Sequence, residues 1–165
     1  MITGLKKLGM ISRFRVFEWE YQFIIILHVE VPIMSILLEK AQHDYAVVQA
    51  MQKINDEEYL DVCCYHIQQA IEKLLKYAIE MRGVNYPHTH NIALLYTEYC
   101  KLGYEEVDNL ELFAGTLTEW ESSSRYKESF YATIKQLNIA SNIFSQLLNI
   151  LQDIEEEVTE SHVFS

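Results

Sequence analysis

Glycine, proline and cysteine are all scarce in this 165-residue chain, with five, two and three copies. So little glycine and proline leaves few residues for tight turns. That argues against a many-turned β sandwich and against a βαβ enzyme with glycine-rich phosphate loops. The cysteines, Cys63, Cys64 and Cys100, are an odd number with no disulfide framework around them. This suits a reducing compartment, and the expected location is the cytoplasm. Basic residues are few as well, 13 against 24 acidic ones, for a net charge of −11. The molecule as a whole therefore repels phosphate, which excludes general nucleic-acid coating. The apolar run from Phe23 to Leu27 falls far short of the ~20 residues that a membrane helix needs, so no membrane association is expected. Lys6, Lys7, Arg13 and Arg15 imitate the basic start of a signal peptide, yet Glu18 and Glu20 interrupt the approach to the apolar stretch. What the chain does have is 50% apolar residues, with frequent Leu, Ile, Ala, Glu, Gln and Lys. That is enough for one core and one domain, built from helices.

Residues 1–33 differ from the rest. Phe17, Trp19 and Tyr21 alternate with Glu18, Glu20 and Gln22, a strand-like period of two. The segment carries a net charge of +1, against −12 for residues 34–165. It reads either as a strand-like N-terminal arm or as an upstream extension, with Met34 the true start. Residues 34–155 then form a helical bundle, and residues 156–165 a polar tail.

From Ser35 the helical period is sustained. Ile36, Leu37, Ala41, Tyr45, Val48 and Met51 recur at three- and four-residue steps, ending at Asn55 and Asp56. A wide apolar stripe from Leu60 to Ala78 predicts a second helix over about 58–82, with Gly83 at a left-handed C-cap. Pro87 marks a loop, Thr89 or Asn91 caps a third helix, and that helix stops near Gly103. A shorter helical segment is expected around Val107 to Thr118, and the serines between Glu121 and Arg125 read as a linker-like turn. The last helix carries Ile134 through Ile154 and is expected to fray through Glu155, Glu156 and Glu157. The fold class is all-α, an up-and-down bundle of four to five helices.

The polar residues Gln69, Glu72, Lys73 and Lys76 fall at i, i+3, i+4 and i+7, so they share one face of the second helix. The simplest reading is a solvated face stitched by a Glu72–Lys76 pair; the sharper one is a recognition surface. His88 and His90, with Cys63, Cys64 and His66, lack the paired spacing of a zinc site, and no metal or cofactor is expected. His90 is expected to cap or bridge helices, and Cys63 and Cys64 to fill the core. Tyr65, Tyr77, Tyr96, Tyr99, Tyr126 and Tyr131 are candidate stacking platforms for a base, although aromatics at helical spacing more often belong to a core.

The stretch from Tyr65 to Lys76 reads YHIQQAIEKLLK; Thr89-His90-Asn91-Ile92 follows, and later Arg125-Tyr126 after Trp120. In that order these resemble the QQAxEKxLK helix, the TH(D/N) loop and the RY turn of the HEPN domain family, over roughly residues 35–152. The resemblance implies a bundle of four main helices, usually homodimeric, often encoded beside a minimal nucleotidyltransferase in a toxin–antitoxin pair, with nucleotide or RNA as ligand. It also implies a phosphate site in which Arg125, Tyr126, Lys73, Lys76, His90 and Gln69 converge. Catalytic members of the wider group carry R-x(4–6)-H, in which arginine holds phosphate and histidine moves the proton. Only Arg82 to His88 has that spacing here, and not near the last helices where the motif usually lies, which argues against an enzyme. A metal-independent ribonuclease toxin and a non-catalytic dimerisation module are the alternatives.

Overall fold

A computed structural model describes residues 35–54, 57–126 and 131–163, with side chains at 57, 125, 126 and 158–163 excepted. The N-terminal segment 1–33 and its strand-like reading lie outside the described residues. Within them are five α-helices: α1 (Ile36–Ile54), α2 (Leu60–Met81), α3 (Ile92–Lys101), α4 (Leu110–Tyr126) and α5 (Ile134–Val163). A 3-10 turn, Glu57–Tyr59, leads into α2. No strand occurs among the described residues. The all-α bundle expected from the periodicity is the fold found.

Helix α2 is the hub on which the other four helices pack. Its residues explain why: Cys63, Cys64, Ile67, Ala70, Ile71, Leu74, Leu75, Ala78 and Ile79 leave almost no apolar side chain for solvent. A helix apolar around most of its circumference is stable only inside a bundle. It ends as the sequence predicts. Gly83 takes φ 70°, its N–H donates to the Glu80 carbonyl at 2.8 Å, and the Val84 N–H reaches Ile79 at 3.4 Å. That paired pattern satisfies two carbonyls which the helix end leaves unbonded. Ser35 opens α1, accepting from the Leu37 N–H at 3.3 Å while its hydroxyl donates to Glu80 at 3.0 Å, so the start of α1 is fastened to the end of α2.

Two boundaries differ from the sequence reading. The serines at 122–124 form no turn, because α4 runs through them to Tyr126. The Ser124 hydroxyl donates to the Trp120 carbonyl at 2.6 Å, and Thr118 does the same to Ala114 at 2.8 Å. Such back-bonding lets short hydroxyl side chains stay in a helix, and no glycine or proline lies between Thr116 and Thr133 to stop it. Helix α5 also continues past Glu155–Glu157 to Val163, since glutamate is a good helix former and no breaker follows. Its start is a reciprocal capping box. Thr133 Oγ1 accepts from the Gln136 N–H at 3.2 Å, and Gln136 Oε1 accepts from the Thr133 N–H at 2.9 Å.

The tyrosines divide by position. Tyr77, Tyr96 and Tyr99 are buried and belong to the core, as does Tyr104. Their hydroxyls staple the α3–α4 connection: Tyr104 donates to the Ala78 carbonyl at 2.7 Å, Tyr99 to Glu105 at 2.9 Å, and Tyr96 accepts from the Val107 N–H at 3.1 Å. Tyr77 donates to the Glu155 carboxylate. Burial pushes the ionisation of Tyr77 and Tyr99 upward, so both stay neutral. Tyr131, by contrast, is exposed.

Helices α1 and α5 meet where Tyr45 stacks on Phe144, with ring centroids 4.1 Å apart and Phe144 1% exposed. Replacing Phe144 by Ala removes the ring and leaves a cavity, and a loss of about 3–5 kcal/mol of unfolding free energy is expected in urea denaturation. A loss below about 1 kcal/mol would mean the two helices do not depend on this contact.

Candidate functional site

The strip Gln69, Glu72, Lys73 and Lys76 does not lie in solvent. Glu72 is 3% exposed and its neighbour Gln68 fully buried, while Lys76 and Lys73 are half-buried. A carboxylate out of water needs several partners. Glu72 has them: Lys76 Nζ donates to Oε1 at 2.7 Å, Gln68 Nε2 to Oε2 at 2.8 Å, and His90 Nδ1 lies 3.1 Å from each oxygen. The expected Glu72–Lys76 pair is therefore present, but as the floor of an enclosed cluster. The solvated-face expectation is corrected, because the strip is covered from both sides by α1 and by the loop that carries His90.

A second carboxylate, Asp44 on α1, organises the other half. Its Oδ1 lies 2.8 Å from His66 Nδ1 and its Oδ2 accepts from Lys73 Nζ at 2.7 Å. Lys73 also donates to Gln69 Oε1 at 3.0 Å and to the Gln69 carbonyl at 3.3 Å. Gln69 Nε2 in turn donates to Gln68 Oε1 at 2.8 Å, which joins the two halves into one chain of hydrogen bonds from His66 to His90. Two carboxylates, two ammonium groups, two imidazoles and two amides are thus linked along α2. Lys76 Nζ also stands 5.6 Å from the centre of the Tyr86 ring, a cation–π contact. An ionised carboxylate only accepts, so each imidazole donates from Nδ1 and keeps Nε2 as the nitrogen turned away from the network. The His90 side chain is 63% exposed and that of His66 27%.

Gln69, Lys73, Lys76 and His90 are thus brought together as the sequence suggested. Arg125 and Tyr126 sit at the last two positions of α4 and not in a turn, and their side chains lie outside the described residues. Arg82 and His88 are held by different partners. The Arg82 guanidinium stacks on Tyr104, 4.7 Å from the ring centre, and His88 meets the edge of Tyr86 at 6.0 Å. Neither of these contacts joins the arginine to the histidine. No group of three or more His, Cys, Asp or Glu able to hold a metal occurs among the described residues. Cys63 and Cys64 are buried thiols whose ionisation is pushed up, first by burial and then by neighbouring charge, so they are core and not nucleophiles.

Asp44 and Tyr86 are not singled out by the sequence, His66 enters it only in the rejected zinc set, and Gln68 only within the glutamine-pair motif. A signal for two of them was present. Asp44 stands at i+3 from Ala41 and i−4 from Val48, and Gln68 at i+4 from Cys64, so both interrupt stripes that are otherwise apolar. A polar residue inside an apolar stripe must find a partner on the facing element.

With this geometry in view, comparison with known proteins gives a concordant result. The HEPN domain family matches residues 34–158, and the chain belongs to that family. Among solved structures, the crystal structure of TT1696 from Thermus thermophilus is similar, with a TM-score of 0.55 at 22% identity over 69% of this chain and 94% of that one. That likeness is one of fold. No curated protein matches. No helix among the described residues is long and apolar enough to cross a membrane.

The network predicts unequal costs for its two carboxylates. Glu72→Ala leaves Lys76, Gln68 and His90 without their shared acceptor in a buried setting, and a loss of about 3 kcal/mol is expected in equilibrium urea unfolding. Asp44 is more exposed, and Asp44→Ala is expected to cost about 1–2 kcal/mol. Equal, small losses would show that the cluster is a surface decoration.

Proposed function

We propose that this HEPN protein is a homodimeric, cytoplasmic accessory module that binds nucleotide or RNA and acts with a minimal nucleotidyltransferase partner, in a toxin–antitoxin pair. The observation that carries the reading is the network itself. In a region of net charge −12, Lys73, Lys76, His66 and His90 are gathered along one strip and fixed in place, instead of being spread over the surface. Two ammonium groups and two imidazoles set beside two carboxylates concentrate hydrogen-bond donors in one place, which is what holding a phosphate requires. His90 offers an exposed imidazole and Tyr86 an aromatic face; Arg125, at the end of α4, is the further cation that the family resemblance adds. The lysines already have carboxylate partners, so a phosphate competes for them and binding is modest and salt-sensitive. Exposed apolar side chains such as Tyr131, ahead of α5, and Ile134, at its first position, supply surface for a twofold contact. The ribonuclease alternative is less supported, since Arg82 and His88 are engaged with Tyr104 and Tyr86.

Titration of ATP, GTP and a short RNA against the wild type, Arg125→Ala and His90→Ala tests the site. Each substitution is expected to weaken binding about tenfold, equivalent to ~1.4 kcal/mol. Binding that neither substitution changes would eliminate this site. RNA cleavage lost in Arg82→Ala or His88→Ala would replace the proposal with the nuclease.

A further inference from the structure

Sharing no residue with the α2 network, an open groove of about 770 Å³ is bordered by α3, the α3–α4 connection and the first turns of α4. Its exposed apolar lining is Ala93 and Leu112, with the buried Tyr96, Val107 and Ala114 beneath. Leu112 is 89% exposed, an unusual state for a leucine in a helix whose neighbours Leu110 and Leu117 are fully buried. Three carboxylates, those of Glu106, Asp108 and Glu111, stand on the rim. Lys101 is the only base among the lining residues described, and it is tied to Glu98 at 2.8 Å. Asp108 and Glu111 lie by the start of α4, where the helix dipole favours acids, which explains their position. It does not neutralise their charge, and it does not explain the bare leucine.

We propose that this groove is the docking site for a basic amphipathic helix of a protein partner. The apolar lining would receive the partner's hydrophobic side chains and the rim carboxylates its lysines or arginines, the arrangement of a helix laid in a groove. Charge selects this occupant. Three carboxylates with no ion pair among the described residues repel nucleic-acid phosphate, and in a twofold contact through this face they would confront the same three carboxylates of a second copy. Ten residues of α3 span about 15 Å, so about three turns of a partner helix fit along it. This site is independent of the nucleotide proposal and can fail without it.

The groove carries its own reporter. Cys100 is exposed and lies on the lining, whereas Cys63 and Cys64 are buried, so a maleimide labels Cys100 selectively in the folded full chain. The probe is an 18-residue synthetic helix of leucine and lysine, read by fluorescence anisotropy and by protection of Cys100. Micromolar binding is expected, with Cys100 labelling slowed at least fivefold. Leu112→Ala, which leaves the charge unchanged, and a Glu106→Lys, Glu111→Lys pair are each expected to weaken binding tenfold or more. A charge reversal on another face, Glu39→Lys, should leave it within twofold. A matched peptide with glutamate in place of lysine should not bind. The proposal is overturned if Leu112→Ala binds like wild type, if Glu39→Lys weakens binding as much as the rim pair, or if Cys100 stays unprotected. Self-association of the chain that Leu112→Asp abolishes would likewise overturn it, by assigning the face to a second copy.

Discussion

A carboxylate held almost out of water in the central helix sets the terms for everything around it. Glu72 lies on α2, whose apolar positions are mostly buried, and its charge can be kept there only if neighbouring groups replace the lost hydration. Lys76 and Gln68 do so from the same helix, one turn to either side, and His90 from the loop that follows. The last contact has a structural consequence. It ties the start of α3 to the middle of α2, so the loop containing Pro87 is positioned by an ionic hydrogen bond as well as by the Asn91 cap, which accepts from the Leu94 N–H at 3.0 Å.

Asp44 repeats the device between α1 and α2. Reaching His66 and Lys73, which are seven residues apart, it spans two turns of the helix and fixes the register of α1 against α2. Apolar packing supplies most of the association free energy but tolerates sliding, whereas a hydrogen-bonded polar cluster has one satisfied arrangement. The same cluster gathers cations in a chain with few of them. That is why the strongest candidate for a phosphate-binding function and the strongest determinant of helix register fall on the same residues.

The helices were legible because their apolar spacing is strong and their ends carry explicit chemistry, such as Gly83 after α2 and Asn91 before α3. The α4 boundary is not legible in the sequence because serine suits a turn and a helix alike: here the Ser124 hydroxyl bonds back to the helix, and only the facing core around Trp120 decides between the two. Within the site, the residues of one helix face could be grouped from spacing alone, as Gln69, Glu72, Lys73 and Lys76 were. Their burial could not, since it depends on α1 and on the loop from Tyr86 to Asn91 folding over them. Asp44 shows the limit well: its place in an apolar stripe signals a missing partner, but nothing in the one-dimensional pattern names His66 or Lys73 as that partner.

The central claim, that Glu72 and its partners form one buried cooperative unit, is tested most directly by a double-mutant cycle on Glu72→Gln and Lys76→Met, followed by urea unfolding of all four proteins. A coupling energy of more than about 1 kcal/mol is predicted, because each single change strands a group that the other removes. Additivity within about 0.3–0.5 kcal/mol would contradict the account, since that is how independent, solvated side chains behave.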